Sequence, residues 1–171
     1  MPREMTEGAQ PMATRTIYAG LFLVTLATLM YEILLTRIFS VTMWYHFAFL
    51  AISIAMFGMT AGALLVYLFP RFFREESTKK QMTLASLLFA LSIVISFLVH
   101  LHVRVQTPES FADFYPIALT YAVVSLPFVF SGISVCLALT RFPLQVSKLY
   151  AVDLAGAAAG CVLLIGMLRI T

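Results

Sequence analysis

The stretch Ile17–Phe39, IYAGLFLVTLATLMYEILLTRIF, runs for 23 residues with Glu32 and Arg37 as its only charges. A helix rises about 1.5 Å per residue and a bilayer core is about 30 Å thick, so a run of this length reads as a membrane span. Four further runs follow at Tyr45–Phe69, Met82–Val103, Phe114–Thr140 and Leu149–Leu168. All are continuously apolar and lack the period-2 alternation that a barrel wall requires. The expected fold class is therefore all-α: an integral membrane bundle of five transmembrane helices at residues 17–171, preceded by a short cytoplasmic tail at residues 1–16.

Composition supports that reading. Of 171 residues, 61% are apolar and 11% charged, against soluble averages of about 45–50% and about 25%. Such a chain is too apolar for disorder and too sparsely basic for a nucleic-acid surface, so nucleic acid is not an expected partner. Apart from Glu32, Arg37 and Asp153, every charge falls outside the apolar runs. The first run resembles a secretory signal in following Arg3 and Arg15, but it exceeds the usual h-region of about 7–15 residues, and no small-x-small cleavage pattern follows Phe39. It is read as a retained anchor.

Lys and Arg divide unevenly between the two sides. Arg3, Arg15, Arg71, Arg74, Lys79, Lys80, Arg141 and Lys148 share one side, against Arg37, Arg104 and Arg169 on the other. By the positive-inside rule the N-terminus is cytoplasmic and, after five spans, the C-terminus is outside. The polar segments at 1–16 and 70–81 are too short to bury a core. Chemistry is therefore expected within the bundle or in a partner, and the ending at Arg169-Ile170-Thr171 leaves two readings open, a natural end or a fragment of a longer protein.

Ionisable residues inside a membrane are the first functional candidates. Thr25, Thr28, Glu32, Thr36 and Ser40 recur at helical spacing and share one face of the first helix. Arg37 stands about 140° around the helix from Glu32, which disfavours an intrahelical ion pair and leaves Arg37 to snorkel at the outer end or to pair with Glu32 of another helix or chain. Two readings stay open for Glu32: a structural polar contact, or a site for an ion or substrate. Asp153, near the start of the fifth helix, is read either as compensating the helix dipole or as contacting a cytoplasmic loop or domain.

His46, His100 and His102 fall on the outer side, with Ser92, Ser96 and His100 on one face of the third helix. His46 and His100 could ligate a haem or transition metal from facing helices, or relay protons with Glu32; the alternative is that they are polar anchors. No other metal ligands, no catalytic residue and no cofactor are read from this chain. Gly58-Met59-Thr60-Ala61-Gly62 and Gly156-Ala157-Ala158-Ala159-Gly160 both fit G-x-x-x-G, the pattern that lets helix backbones approach closely in lipid. Unless other helices or a second copy cover those faces, they are exposed. Pro127, near Ser125, Ser131 and Gly132, marks a bend in the fourth helix. Trp44, Tyr45, Phe114 and Tyr115 fit an outer aromatic belt. Cys136 and Cys161 differ in depth and are read as small core residues without a disulfide.

Tyr31-Glu32 with Arg37, the Gly58 and Gly62 helix, and Tyr150-x-x-Asp153-x-x-Gly156-Ala157 through Gly160 occur in an order that resembles the membrane portion of spermidine-synthase-like proteins. In that family a multi-helix membrane domain precedes an aminopropyltransferase domain. The resemblance covers most of the chain and implies a bacterial inner-membrane protein coupled to polyamine or S-adenosylmethionine-dependent chemistry. The glycine-rich nucleotide turn and acidic residues of the catalytic domain are missing, so no catalytic residue carries over. The expected function is a polytopic domain that anchors or cooperates with a synthase-like enzyme and binds or transports a small cationic substrate. Glu32 leads the candidate residues, ahead of Arg37 and Asp153. The alternatives are a redox subunit using His46 and His100, or a purely structural membrane fragment. Expected partners are the lipid bilayer, a synthase-like domain or further helices, and a second copy of the chain.

Overall fold

The computed structural model describes residues 13–42, 47–73, 77–102 and 114–170. They form helices α1 (Arg15–Thr42), α2 (Phe47–Leu68), α3 (Thr78–His102), α4 (Phe114–Arg141) and α5 (Val146–Ile170), with a short 3-10 turn at Pro143–Gln145. All five helices are long and apolar enough to cross a membrane. No strand occurs among the described residues, so the chain is an all-α bundle of the multi-pass type. Trp44, Tyr45 and His46, and the side chains of Phe114 and Tyr115, lie outside the described residues.

Local chemistry sets the helix limits. Thr14 opens α1, its carbonyl accepting the Ile17 amide at 2.9 Å. Leu68 closes α2 just before Pro70, whose ring disfavours helical geometry in the residue preceding it. Pro143 follows α4 and lacks the amide that would continue it. Three helices begin ahead of their apolar runs: α1 at Arg15 rather than Ile17, α3 at Thr78 rather than Met82, and α5 at Val146 rather than Leu149. The added residues are mostly polar and lengthen each helix beyond its apolar run. Asp153 is consequently outside the first turn of α5, which holds no acid. Dipole compensation fades beyond that turn, so it does not account for Asp153.

The helices alternate in direction. At one end, the Ala13 amide and the Tyr18 hydroxyl donate to Gln145 Oε1 at 3.1 and 2.9 Å, Gln81 Nε2 donates to Phe72 O at 2.9 Å, and the Arg141 guanidinium donates to Phe73 O. The starts of α1, α3 and α5 and the ends of α2 and α4 therefore meet there. Phe39, His100 and Tyr121 mark the opposite end, with Phe39 tilted against the His100 ring at 5.4 Å and edge-on to Tyr121 at 6.1 Å.

Helix α4 is the hub, packed against α2 and α3, while α5 packs mainly on α1. Both principal pairings rest on glycine. A Cβ on Gly58 would lie 2.7 Å from Phe128 Cβ, and one on Gly62 would lie 2.9 Å from the Ile133 nitrogen and closer still to Val129 O. Gly132 of α4 answers from the other side, where a Cβ would stand 2.8 Å from Met59 Cα. On α5, a Cβ at Gly156 would lie 2.6 Å from Phe22 O and one at Gly160 2.5 Å from Leu26 O. The two G-x-x-x-G faces are thus covered within the chain, by α4 and α1, and do not wait for a second copy.

Two apolar clusters fill the interior. Leu21, Met82, Leu137, Phe142 and Leu149 belong to the one near the Gln145 end, and Tyr31, Leu35, Phe39, Val124 and Phe128 to the other. Large side chains such as Phe57, Tyr67 and Val162 point outward, as lipid-facing residues do.

Backbone contact at Gly62 gives a direct test. Gly62→Ala forces α2 away from Val129 and is expected to lower stability by about 1–3 kcal/mol, the usual cost of overpacking. Gly20, with nothing within 4 Å of an added Cβ, accepts alanine without loss. Unfolding titrations of the two variants in detergent micelles check this; equal stability would contradict the α2–α4 contact.

Candidate functional site

Between the two apolar clusters lies a layer of buried hydroxyls. Thr28 Oγ1 of α1 and Ser131 Oγ of α4 stand 2.6 Å apart, both nearly inaccessible. Thr28 also donates to Val24 O at 2.7 Å, which makes Ser131 the donor in the interhelical bond. The Thr25 hydroxyl lies 3.1 Å from Leu21 O and Ser134 donates to Phe130 O at 3.1 Å. One turn further along α1, Tyr31 OH meets Ser96 Oγ of α3 at 2.7 Å while its ring packs on Phe128 at 5.3 Å. Each buried hydroxyl in this layer therefore has an oxygen partner, as a low-dielectric interior demands.

Glu32 adjoins this layer and differs from it. It follows Tyr31 directly and stands one turn beyond Thr28, about 5 Å past the midpoint of α1. Its side chain is half-buried, and among the described residues it has neither a hydrogen-bond nor an ion-pair partner. Arg37 is exposed and lies on another side of the helix, so it leaves the carboxylate uncompensated. Thr36 and Ser40 continue the stripe, but each donates back to its own helix, to Ile33 O at 2.7 Å and Arg37 O at 2.8 Å.

The remaining candidates are not gathered around Glu32. Asp153 is half-buried on the α5 face that carries Leu149 and Gly156. Since Gly156 meets Phe22 and Gly160 meets Leu26, α1 and α5 run parallel, and Asp153 stands roughly 20 Å below Glu32 along the bundle. The two acids are separate features. His100 packs on Phe39, and its Nδ1 is buried without a partner among the described residues; His102 is exposed, and His46 lies outside the described residues. No three His, Cys, Asp or Glu side chains among the described residues form a metal-sized group. Cys136 and Cys161 are both free.

The periodicity of α1 reveals the hydroxyl face but not its partners. Ser131 and Ser96 are ordinary serines within apolar runs, and only the packing of α4 and α3 shows that they complete the layer. A scan against protein-family models finds no match for this chain, nor does a search of the curated proteins or of the solved structures.

The hydroxyl pairs are open to a double-mutant cycle. Tyr31→Phe and Ser96→Ala should couple by about 0.6 kcal/mol and at most about 1.7 kcal/mol, the range for interhelical hydrogen bonds in membranes. Unfolding free energies of the two single variants and the double variant measure it. Strict additivity would show that the bond is not made.

Proposed function

We propose that this bundle is the membrane part of an inner-membrane assembly that binds a small cation at Glu32 and works beside a synthase-like enzyme. The observation that carries the reading is the half-buried Glu32 carboxylate, which has no partner among the described residues. An acidic side chain near the middle of a membrane helix costs about 2.5–3.5 kcal/mol on insertion scales. A bound cation offsets that cost, which Arg37 does not. The Tyr31-Glu32, Gly58–Gly62 and Tyr150–Gly160 motifs, which resemble the membrane portion of spermidine-synthase-like proteins, make a polyamine the first cation to test and a synthase-like domain the first partner.

The gathering of Arg15, Arg71, Lys79, Lys80, Arg141 and Lys148 toward the Gln145 end supports placing that end in the cytoplasm. Cysteines introduced near Lys148 are then expected to react with an impermeant maleimide only after the cells are opened. Reaction in intact cells would reverse the orientation.

In proteoliposomes, Glu32→Gln is expected to weaken spermidine binding at least tenfold while leaving insertion and helix content unchanged. Asp153→Asn, distant from the site, should bind as the parent chain does. Unchanged binding by Glu32→Gln would refute the site, and a loss of stability without a loss of binding would make Glu32 a packing residue.

A further inference from the structure

Helices α1 and α3 meet at the Phe39 end, through Tyr31–Ser96 and Phe39–His100, but separate toward the Gln145 end. The gap is a groove of about 560 Å³ running past Thr14, Thr16, Gly20, Lys79 and Thr83, with Ser134 of α4 among its lining. A second, open depression of about 400 Å³ lies along the adjoining face of α3, over Lys80, Leu84 and Leu87, and shares Lys79 and Thr83 with the first. The volume of the groove falls within the range of small-molecule sites, about 300–1,000 Å³.

The polar groups of the groove divide by depth. Thr83 and Ser134 donate to carbonyls of their own helices, Lys79 O at 2.9 Å and Phe130 O at 3.1 Å. They are satisfied and need no water, so the deeper groove suits a hydrocarbon chain. At the mouth, the hydroxyls of Thr14 and Thr16 and the exposed ammonium of Lys79 remain as donors. The first turns of α1 and α3 also begin at this end, and helix starts favour anions. No carboxylate among the described residues pairs with Lys79 or Lys80.

We propose that this groove holds one two-chain anionic phospholipid from the leaflet on that side. Its phosphate is held by Lys79, Thr14 and Thr16; one acyl chain lies in the groove past Gly20, and the other lies over Leu84 and Leu87. A groove and an open apolar strip that meet at Lys79 match a ligand with one charged head and two tails. Gly20 leaves the space that the first chain fills.

Native mass spectrometry of the purified chain after exchange from vesicles containing equal phosphatidylglycerol and phosphatidylcholine tests this. The expected result is one retained phosphatidylglycerol per chain and no phosphatidylcholine. Retention should fall about fivefold in Lys79→Ala, the weight of one Lys at an anionic surface. It should disappear in Gly20→Phe, which fills the groove. Thr14→Val with Thr16→Val removes head-group donors without adding bulk and should weaken retention even if Gly20→Phe fails to fold. Equal retention of phosphatidylcholine, parental retention by Lys79→Ala, or displacement of the lipid by millimolar inorganic phosphate would overturn the proposal.

Discussion

Lipid tails solvate a leucine as well as a neighbouring helix does, so helices in a membrane gain little from burying apolar surface against one another. Close backbone contact has to supply what the hydrophobic effect does not. Here that contact occurs where Gly58 and Gly62 of α2 face Gly132 of α4, and where Gly156 and Gly160 of α5 lie on the Phe22–Leu26 turn of α1. These seams leave no room for a methyl group, which fixes their register. The depth at which Ser131 reaches Thr28 then follows from how α4 is held in the bundle.

With α4 at the centre, the bundle can bury a hydroxyl layer between two apolar clusters. Thr28 with Ser131, and Tyr31 with Ser96, join α1 to α4 and to α3 at neighbouring levels. Satisfied in this way, the hydroxyls specify the arrangement of the helices without burying a charge. Glu32 is the departure from that economy, an acid beside a layer of neutral pairs. Pro127, fully buried in α4 a turn from Ser131, adds a second irregularity, because it has no amide to give to the Val123 carbonyl.

The spans were legible from hydropathy alone, since an uninterrupted run such as Ile17–Phe39 has few other stable homes. Helix ends were less so. Thr78 and Val146 begin α3 and α5 outside the apolar runs, where hydropathy carries no signal, and that shift removed the dipole reading of Asp153. The G-x-x-x-G motifs announced close approach but not the partner helix, because nothing in Gly58 or Gly62 points to Gly132. The Thr25–Thr28–Glu32 face was legible from its 100° spacing. That Glu32 has no partner among the described residues was not, since it depends on how the other helices pack around it.

The central claim is that this carboxylate is the group that meets a cation. The most direct measurement is the infrared difference spectrum of isotope-labelled glutamate in the reconstituted chain, taken with and without spermidine. A perturbed carboxylate band in the parent chain that is missing in Glu32→Gln is the predicted result. An identical difference spectrum in both proteins would contradict the account.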